Sequence, residues 1–245
     1  MNTPGLQFWF EFGSTYSYPS AVRIKAAAEA GVPVAWEPFL LGPIFAEQGW
    51  DDSPFNVYPA KGRYMWRDME RLCADRGIPF AKPSRFPRSG VVAARVACLA
   101  KATSEPWLPG FVRGVFRANF AEDREIGDAV EVRSILDALG LPGARIVERS
   151  KSPDNRGRLR EQTRRAGELG IFGAPSFVVG DELFWGNDRL EDALKWATPG
   201  RWSSKGRPTA GDSGQLRPAH PDPGQNHEVD HPAGPGSRDN GPRKG

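Results

Sequence analysis

The sequence predicts an α/β fold in which a small sheet is interrupted by a long helical insertion. The aromatic-rich run LQFWFEF at residues 6–12 predicts a first strand, and residues 32–39 predict a second. A helix-forming run ending at Gly31 lies between them, and a strand, helix and strand in this order give a parallel pair with a right-handed crossover. Two later β-rich runs, 175–179 and 182–185, are joined by a Gly-Asp dipeptide, which predicts an antiparallel hairpin.

Helical periodicity fills most of the chain between the second strand and the hairpin. Helix-forming runs lie at residues 62–76, 89–103, 106–123, 130–139 and 156–169, and a last one lies at 189–196. A β-α-β unit, a helical insert and an α-β-β-α unit in this order are the thioredoxin-like arrangement with an inserted all-helical subdomain. We therefore expect one domain over residues 1–198, with the insertion at about 43–150.

The segment at residues 40–62 interrupts this regular pattern. It carries several Gly and Pro residues, so it reads as irregular, and it is too long and too aromatic for a simple connection. One interpretation is a lid or binding loop. The alternative is an irregular helical piece that packs Phe45, Trp50 and Phe55 on the core.

The end of the chain differs in composition from the rest. From about residue 199 it is crowded with Gly, Pro, Ser and charge, and a segment of this kind cannot bury enough apolar area to offset its ordering entropy. Residues 199–245 are therefore predicted to be a disordered tail. All three histidines, His220, His227 and His231, lie in it. The predicted domain thus lacks imidazole, which excludes histidine bases and histidine-ligated metals, and we expect no metal site.

Cysteine content and charge narrow the function further. Cys73 and Cys98 are far apart and lie in helical patterns, so neither belongs to a dithiol pair, and both are expected to be buried in a reducing compartment. The net charge of +3 is close to balance and does not indicate a nucleic-acid partner. No apolar run is long enough to span a membrane and no signal pattern is present, so we expect a cytoplasmic protein.

The turn after the first strand is the first candidate for chemistry. Gly13 ends the strand, and Ser14, Thr15 and Ser17 are candidates for the N-cap of the following helix. The start of a helix favours negative charge, so an anion or a thiolate would be stabilised at Ser14. The alternative is that Ser14 only caps the helix.

In a thioredoxin arrangement this turn faces the loop before the returning strand. That loop carries an Ala174–Pro175 bond, a candidate for a cis peptide that would direct the backbone N–H and C=O of Ala174 toward Ser14. Simple entry into a strand is the alternative. The turn contains no thiol, so a reactive sulfur would have to come from a bound molecule.

Three motifs carry a resemblance to a known family. They are FWFEFGSTYSYPSAVRI at 8–24, SPFNVYPAKGRYMWRDMERL at 53–72, and GIFGAPSFVVGDELFWGNDRLEDAL at 170–194. The chain resembles the 2-hydroxychromene-2-carboxylate isomerase family, close to the kappa-class glutathione transferases, over roughly residues 6–197.

The resemblance implies a DsbA-like fold, bound glutathione as cofactor, and reversible addition of its thiolate to a small aromatic carboxylate substrate. Ser14 would be the catalytic residue, its hydroxyl donating to the glutathione sulfur. The implied glutathione-binding residues are Ser14, Ala174, Trp185, Gly186, Asn187 and Asp188. Asp188 is also an N-cap candidate for the last helix. Related proteins are often dimers, so a homodimer is expected.

The substrate side of the implied site departs from the family. Asn56 matches a family asparagine near the substrate, but Phe86 stands where a substrate-facing tyrosine is expected, and Val57 replaces an arginine. A lysine expected shortly before Gln48 is missing. The basic residues that could serve a carboxylate instead are Lys61, Arg63, Arg85 and Arg88. Two alternative functions therefore stay open: a glutathione transferase, and a non-catalytic protein that binds glutathione or a peptide.

Overall fold

Four strands form a mixed sheet in the order β2-β1-β3-β4. The computed structural model describes residues 5–29 and 31–198. The strands are β1 Leu6–Phe10, β2 Val34–Pro38, β3 Ser176–Val179 and β4 Glu182–Trp185. β1 pairs parallel with β2 and antiparallel with β3, and β3 and β4 form the predicted hairpin. This is the sheet of a DsbA-like thioredoxin fold, as the sequence predicts.

Aromatic side chains on the two central strands form the middle of the core. Phe8 and Phe10 are fully buried, and the Phe8 ring stacks on Phe177 across the sheet with 5.5 Å between ring centroids. Phe10 contacts Phe116 of a helix above the sheet at 6.1 Å. Burying each such side chain stabilises the fold by about 1.5–3 kcal/mol, so this cluster fixes β1 and the turn that follows it.

Eleven α-helices occur in the described part of the chain. Their bounds are α1 Ser17–Arg23, α2 Lys25–Glu29, α3 Leu41–Glu47, α4 Pro54–Val57, α5 Pro59–Asp75, α6 Val91–Ala102, α7 Leu108–Phe120, α8 Ala129–Ala138, α9 Gly143–Ser150, α10 Pro153–Glu168 and α11 Leu190–Ala197. A 3-10 turn at Asn187–Arg189 precedes α11. In residues 5–29 and 31–198, no helix combines the length and apolarity needed to cross a membrane.

The helical predictions hold with three differences. The irregular segment contains α3, α4 and the first residues of α5, and the Phe45 ring contacts Trp50 at 5.6 Å while Phe55 packs on the core. Helix α9, Gly143–Ser150, was not predicted. The first helix is two short ones, because α1 ends at Arg23 and α2 begins at Lys25. The predicted tail at 199–245 lies outside the described residues, and so do the three histidines.

Strand β1 ends at Phe10 and not at the predicted Phe12. The reason is a tight turn at Glu11, whose carbonyl accepts from the Ser14 N–H at 3.1 Å. The Glu11 side chain also accepts from the Gly13 N–H at 2.8 Å. These bonds draw the chain away from the ladder two residues earlier than the apolar pattern indicates.

Candidate active site

The turn at Ser14 is built by the backbone and not by helix capping. α1 begins at Ser17, and its N-cap residue is Tyr16, which makes no side-chain capping bond. The prediction that Ser14, Thr15 or Ser17 caps the helix is therefore wrong. The cause is the turn at Glu11, which delays the start of the helix until Ser17.

The three hydroxyl groups of this segment have different surroundings. Ser14 Oγ donates to the carbonyl of Ala174 at 2.8 Å, and Ser14 is half-buried. Thr15 Oγ1 donates to Met65 Sδ at 3.2 Å and fixes the turn to α5. Ser17 Oγ is buried and has no hydrogen-bond partner among the described residues. Ser14 is thus the hydroxyl of this turn that meets the loop on the opposite side.

The Ala174–Pro175 peptide bond is cis, as the sequence predicts. The Ala174 carbonyl accepts from Ser14, while no hydrogen bond within the described ranges takes up the Ala174 N–H. On the other side, the Pro175 carbonyl accepts from the Gly186 N–H at 3.0 Å. The cis-proline loop therefore lies between the Ser14 turn and the loop after β4, and one backbone edge at Ala174 is able to pair with an extended peptide.

Trp185 and Gly186, at the end of β4, lie against the cis-proline loop. The Trp185 side chain is 53% exposed, and its ring contacts that of Phe172 with 4.8 Å between centroids. Its indole covers Gly173, where an added Cβ would lie 2.5 Å from Trp185 Nε1. Gly186 has φ +112, a conformation that side-chain-bearing residues rarely adopt. The loop thus presents an aromatic face beside the cis-proline.

Asn187 ties this loop to α1. It is buried, and its side-chain oxygen accepts from Ser20 Oγ at 3.0 Å and from Arg23 Nη1 at 2.8 Å. Its backbone carbonyl accepts from the same Arg23 atom at 3.0 Å. Arg23 also forms an ion pair with Glu191 of α11. Asn187 is therefore held in place by the helix that follows Ser14.

Asp188 lies at the surface of the same loop. Its carboxylate is 72% exposed and is 3.4 Å from Arg189 Nη2. The prediction that Asp188 caps the last helix is wrong, because α11 starts at Leu190 with Arg189 at its N-cap, so Asp188 sits inside the preceding 3-10 turn. Its carboxylate remains accessible to a ligand cation.

Glu11 is a residue of this site that the sequence prediction missed. The residue retains some exposed surface, but its carboxyl group lies between two glycines: an added Cβ would be 3.0 Å from Glu11 Oε2 at Gly13 and 2.8 Å from Glu11 Oε1 at Gly90. Burial raises the pKa of Glu11 to about 7, although backbone N–H groups of Gly13, Ser14 and Phe12 oppose this rise. The signal in the sequence was a single charge inside an aromatic strand.

Arg88 is not available to a substrate, contrary to the hypothesis from the sequence. Its side chain is 3% exposed, it pairs with Asp123, and it donates to Asn119 Oδ1 at 3.2 Å. The Asn119 side chain in turn donates to the Phe12 carbonyl at 3.1 Å. Arg88 therefore supports the turn from below. Arg85 is exposed and lies 3.4 Å from Glu125.

The two residues expected on the substrate side lie on different elements. Asn56 is exposed on α4, where its amide donates to Asp52 Oδ2 at 2.9 Å. Phe86 is half-buried in the loop before α6, followed by a second cis bond to Pro87 that was not predicted. Its ring meets Trp66 of α5 edge-on, with 4.8 Å between centroids.

The chain that forms this mixed sheet and the cis-proline loop facing Ser14 matches a family model for the DSBA-like thioredoxin domain over residues 5–195. The chain belongs to this family. The DSBA-like domain therefore covers nearly all of the described residues, including every site residue named above.

Relatives of this DSBA-like chain carry a common name. The 2-hydroxychromene-2-carboxylate isomerase of Sphingobium xenophagum is 28% identical over 191 residues, covering 77% of this chain and 95% of that relative. The isomerase of the same name from Pseudomonas putida is 26% identical, covering 76% and 90%. A solved structure of 2-hydroxychromene-2-carboxylate isomerase matches with a TM-score of 0.68 and 25% identity, covering 78% of this chain and 94% of that one. The resemblance to 2-hydroxychromene-2-carboxylate isomerases predicted from the three motifs is confirmed, and the names of these relatives support the expectation of an isomerase enzyme.

Proposed function

We propose that this DSBA-like chain is a glutathione-dependent isomerase of 2-hydroxychromene-2-carboxylate or a related intermediate of aromatic-compound breakdown. The observation that carries the proposal is the hydrogen bond from Ser14 Oγ to the Ala174 carbonyl at 2.8 Å. This bond brings the hydroxyl and the cis-proline edge within reach of one small ligand. The reaction is inferred from the names of relatives that match most of the chain.

The residues present fit a bound γ-glutamyl tripeptide. The Ala174 N–H has no partner in the described chain, so a peptide backbone can pair there by strand addition. The exposed Asp188 carboxylate offers a partner for an ammonium group. Asn187, held by α1, fixes the loop between these two contacts.

Glutathione, when bound, supplies a thiolate that adds reversibly to a conjugated double bond and allows rotation before it leaves. Ser14 Oγ would donate to the sulfur in place of the Ala174 carbonyl and would stabilise the thiolate by this hydrogen bond. The Ala174 carbonyl would then be able to accept from a peptide N–H of the ligand. Ser14 acts as an electrostatic donor in this scheme and forms no covalent bond.

Glu11 supports this arrangement from beneath the turn. Its carboxylate accepts from the Gly13 N–H and so fixes the backbone on which the Ser14 hydroxyl is mounted. With a pKa of about 7, the group changes charge near neutral pH. The hydrogen bond from the Gly13 N–H to Glu11, and with it the position of the Ser14 hydroxyl, is therefore expected to vary with pH in this range.

The test is conversion of 2-hydroxychromene-2-carboxylate, followed by absorbance with and without glutathione. We expect conversion that requires glutathione without consuming it, and Ser14→Ala should lower the rate about 10- to 1,000-fold. Ser17→Ala is the matched control, because it removes a buried hydroxyl that has no hydrogen-bond partner in residues 5–29 and 31–198. An unchanged rate in Ser14→Ala would remove Ser14 from the mechanism.

Three results would redirect the proposal. Stoichiometric loss of glutathione would favour a transferase. Glutathione binding by calorimetry without turnover would favour a non-catalytic binding protein. Turnover at full rate without any thiol would refute the glutathione dependence outright.

A further inference from the structure

An aromatic surface with one ammonium group is built mainly on two elements that contact the Ser14 turn; we call it the Trp66 platform and define it as Trp66, Phe86 and Lys82. The Trp66 and Phe86 rings are half-buried and nearly perpendicular, with an interplanar angle of 80° and 4.8 Å between centroids. Lys82 is exposed, and its Nζ lies 5.3 Å from the Trp66 ring centroid. The platform therefore combines apolar ring faces with a single positive charge.

Both rings of the platform are connected to the Ser14 turn. Trp66 follows Met65, whose Sδ accepts from the Thr15 hydroxyl at 3.2 Å. Phe86 comes two residues before Arg88, whose carbonyl lies only 3.1 Å from where a Cβ on Gly13 would be. α5 and the loop before α6 therefore both contact the turn, and these are the two elements that carry the rings of the platform.

Two nearby arginines are already neutralised. Arg85 is 3.4 Å from Glu125, and Arg88 is buried against Asp123. Lys82, by contrast, has no acidic partner among the described residues, and its ammonium group lies over the Trp66 ring. A carboxylate arriving at the platform would therefore meet Lys82 without first displacing a protein carboxylate.

Lys61 is the nearest rival, because it lies over Phe55 at 5.9 Å and Phe55 contacts the Tyr16 ring at 6.3 Å. The Tyr16 hydroxyl, however, donates to Asp68 at 2.9 Å, so a carboxylate already occupies that side of the turn. Asp68 is itself paired with Arg71, whose Nη2 lies 3.3 Å from its carboxylate. That side of the turn thus already holds an ion pair, whereas Lys82 has no acidic partner among the described residues, so Lys82 is the cation favoured for an anionic substrate.

We propose that Lys82 is a specificity-determining residue that binds the carboxylate of a planar aromatic substrate seated on Trp66 and Phe86. This inference rests on the proposed function and deepens it by assigning the substrate carboxylate to one cation. Lys82 is exposed, the Trp66 ring attracts its ammonium group from one side, and its flexible stem lets that group follow substrates of different shape. The aromatic rings select flat bicyclic molecules by stacking.

The experiment compares Lys82→Met, which keeps the apolar stem and removes the charge, with Lys82→Arg, which keeps the charge. Lys61→Met is the matched control, since it makes the same change at a lysine in a similar contact with a ring. For 2-hydroxychromene-2-carboxylate, KM should rise about 10- to 100-fold in Lys82→Met, as expected for losing a charged hydrogen bond, with little change in kcat. Lys82→Arg should restore most of the loss and Lys61→Met should change little.

A second measurement does not depend on turnover. Calorimetry compares coumarin-3-carboxylate, a stable bicyclic carboxylate, with its neutral carboxamide. The parent should prefer the carboxylate, and Lys82→Met should lose this preference while it binds the carboxamide as before. Equal loss of both probes would show a packing role only and overturn the proposal, as would failure of the parent to bind the carboxylate.

The two proposals fail in different ways. A parent that binds the carboxylate through Lys82 but does not isomerise contradicts the proposed function and leaves Lys82 as a carboxylate-binding residue. If the parent isomerises the substrate and Lys82→Met keeps full activity, only the assignment of Lys82 is contradicted.

Discussion

Replacing Glu11 by Gln should make the stability of this domain less dependent on pH. The Glu11 carboxyl is enclosed between Gly13 and Gly90, and burial raises its pKa from 4.5 to about 7. The folded protein therefore binds one proton more than the unfolded chain between these two values. Stability from this group is complete below pH 4.5 and is lost as pH rises to about 7.

The size of the effect follows from the two pKa values. A difference of about 2.5 at 1.36 kcal/mol per unit gives about 3 kcal/mol between pH 4.5 and 7, an upper estimate because the residue keeps some contact with solvent. Gln imitates the protonated acid and does not titrate, so the variant should gain on the parent as pH rises. For a domain of this size, about 3 kcal/mol corresponds to a relative shift in Tm of about 6–12 °C.

The assay is urea unfolding of parent and Glu11→Gln at pH 5 and pH 8, followed by tryptophan fluorescence. The measured quantity is the difference in unfolding free energy between variant and parent at pH 8, less the same difference at pH 5. Glu182→Gln, on an exposed strand position, is the control for losing a negative charge. A value near zero for Glu11→Gln, or a gain at pH 5 and not at pH 8, would refute the reasoning.

Three further predictions concern other parts of the site and its support. Gly186→Ala should cost about 1–3 kcal/mol of stability, because φ is +112 and the added Cβ meets the Asp188 carboxylate, and it should weaken glutathione binding in calorimetry; Gly180→Ala, where φ is +62 and the added Cβ has open space, should cost less and leave that binding unchanged. Arg88→Met should cost about 2–4 kcal/mol in urea unfolding, since it leaves the buried Asn119 without its donor, and a cost below 1 kcal/mol would contradict a supporting role. The two buried cysteines, whose pKa values are raised to about 11 and about 12 by burial, should react with a thiol reagent only on unfolding, and rapid reaction of the folded protein would contradict this.

The order of the strands and most helices could be predicted because they follow from local patterns. The aromatic run of β1, the Gly180-Asp181 hairpin and the helical spacing of α5 each act over a few residues. Helix α9 was missed because it has only 8 residues and begins directly after Pro142, although its buried residues Ile146, Val147 and Ser150 follow helical spacing. The early end of β1 was missed because a side chain, Glu11, closes the turn.

The sequence predicted which residues form the candidate site better than it predicted the contacts between them. Motifs placed Ser14 and Ala174 together, but the bond between them joins residues 160 positions apart and depends on the whole sheet. The burial of Arg88 could not be predicted either, because it requires Asp123 and Asn119 from a different helix and the loop that follows it. Contacts between residues so far apart in the chain cannot be predicted from local sequence patterns.

The bonds from Ser20 and Arg23 to Asn187 have a consequence for which thiols can be used. Helix α1 starts three residues after Ser14 and holds Asn187 further along the same helix, so in the proposed function one rigid element would set the separation between the place proposed for the sulfur and the loop proposed for the amino-acid terminus. A fixed distance between two contacts favours ligands of one length. Cysteine or cysteinylglycine would reach only one end, and the α-linked isomer of glutathione would carry the same groups at the wrong spacing, so both kinds should be discriminated against although each retains the reacting atom.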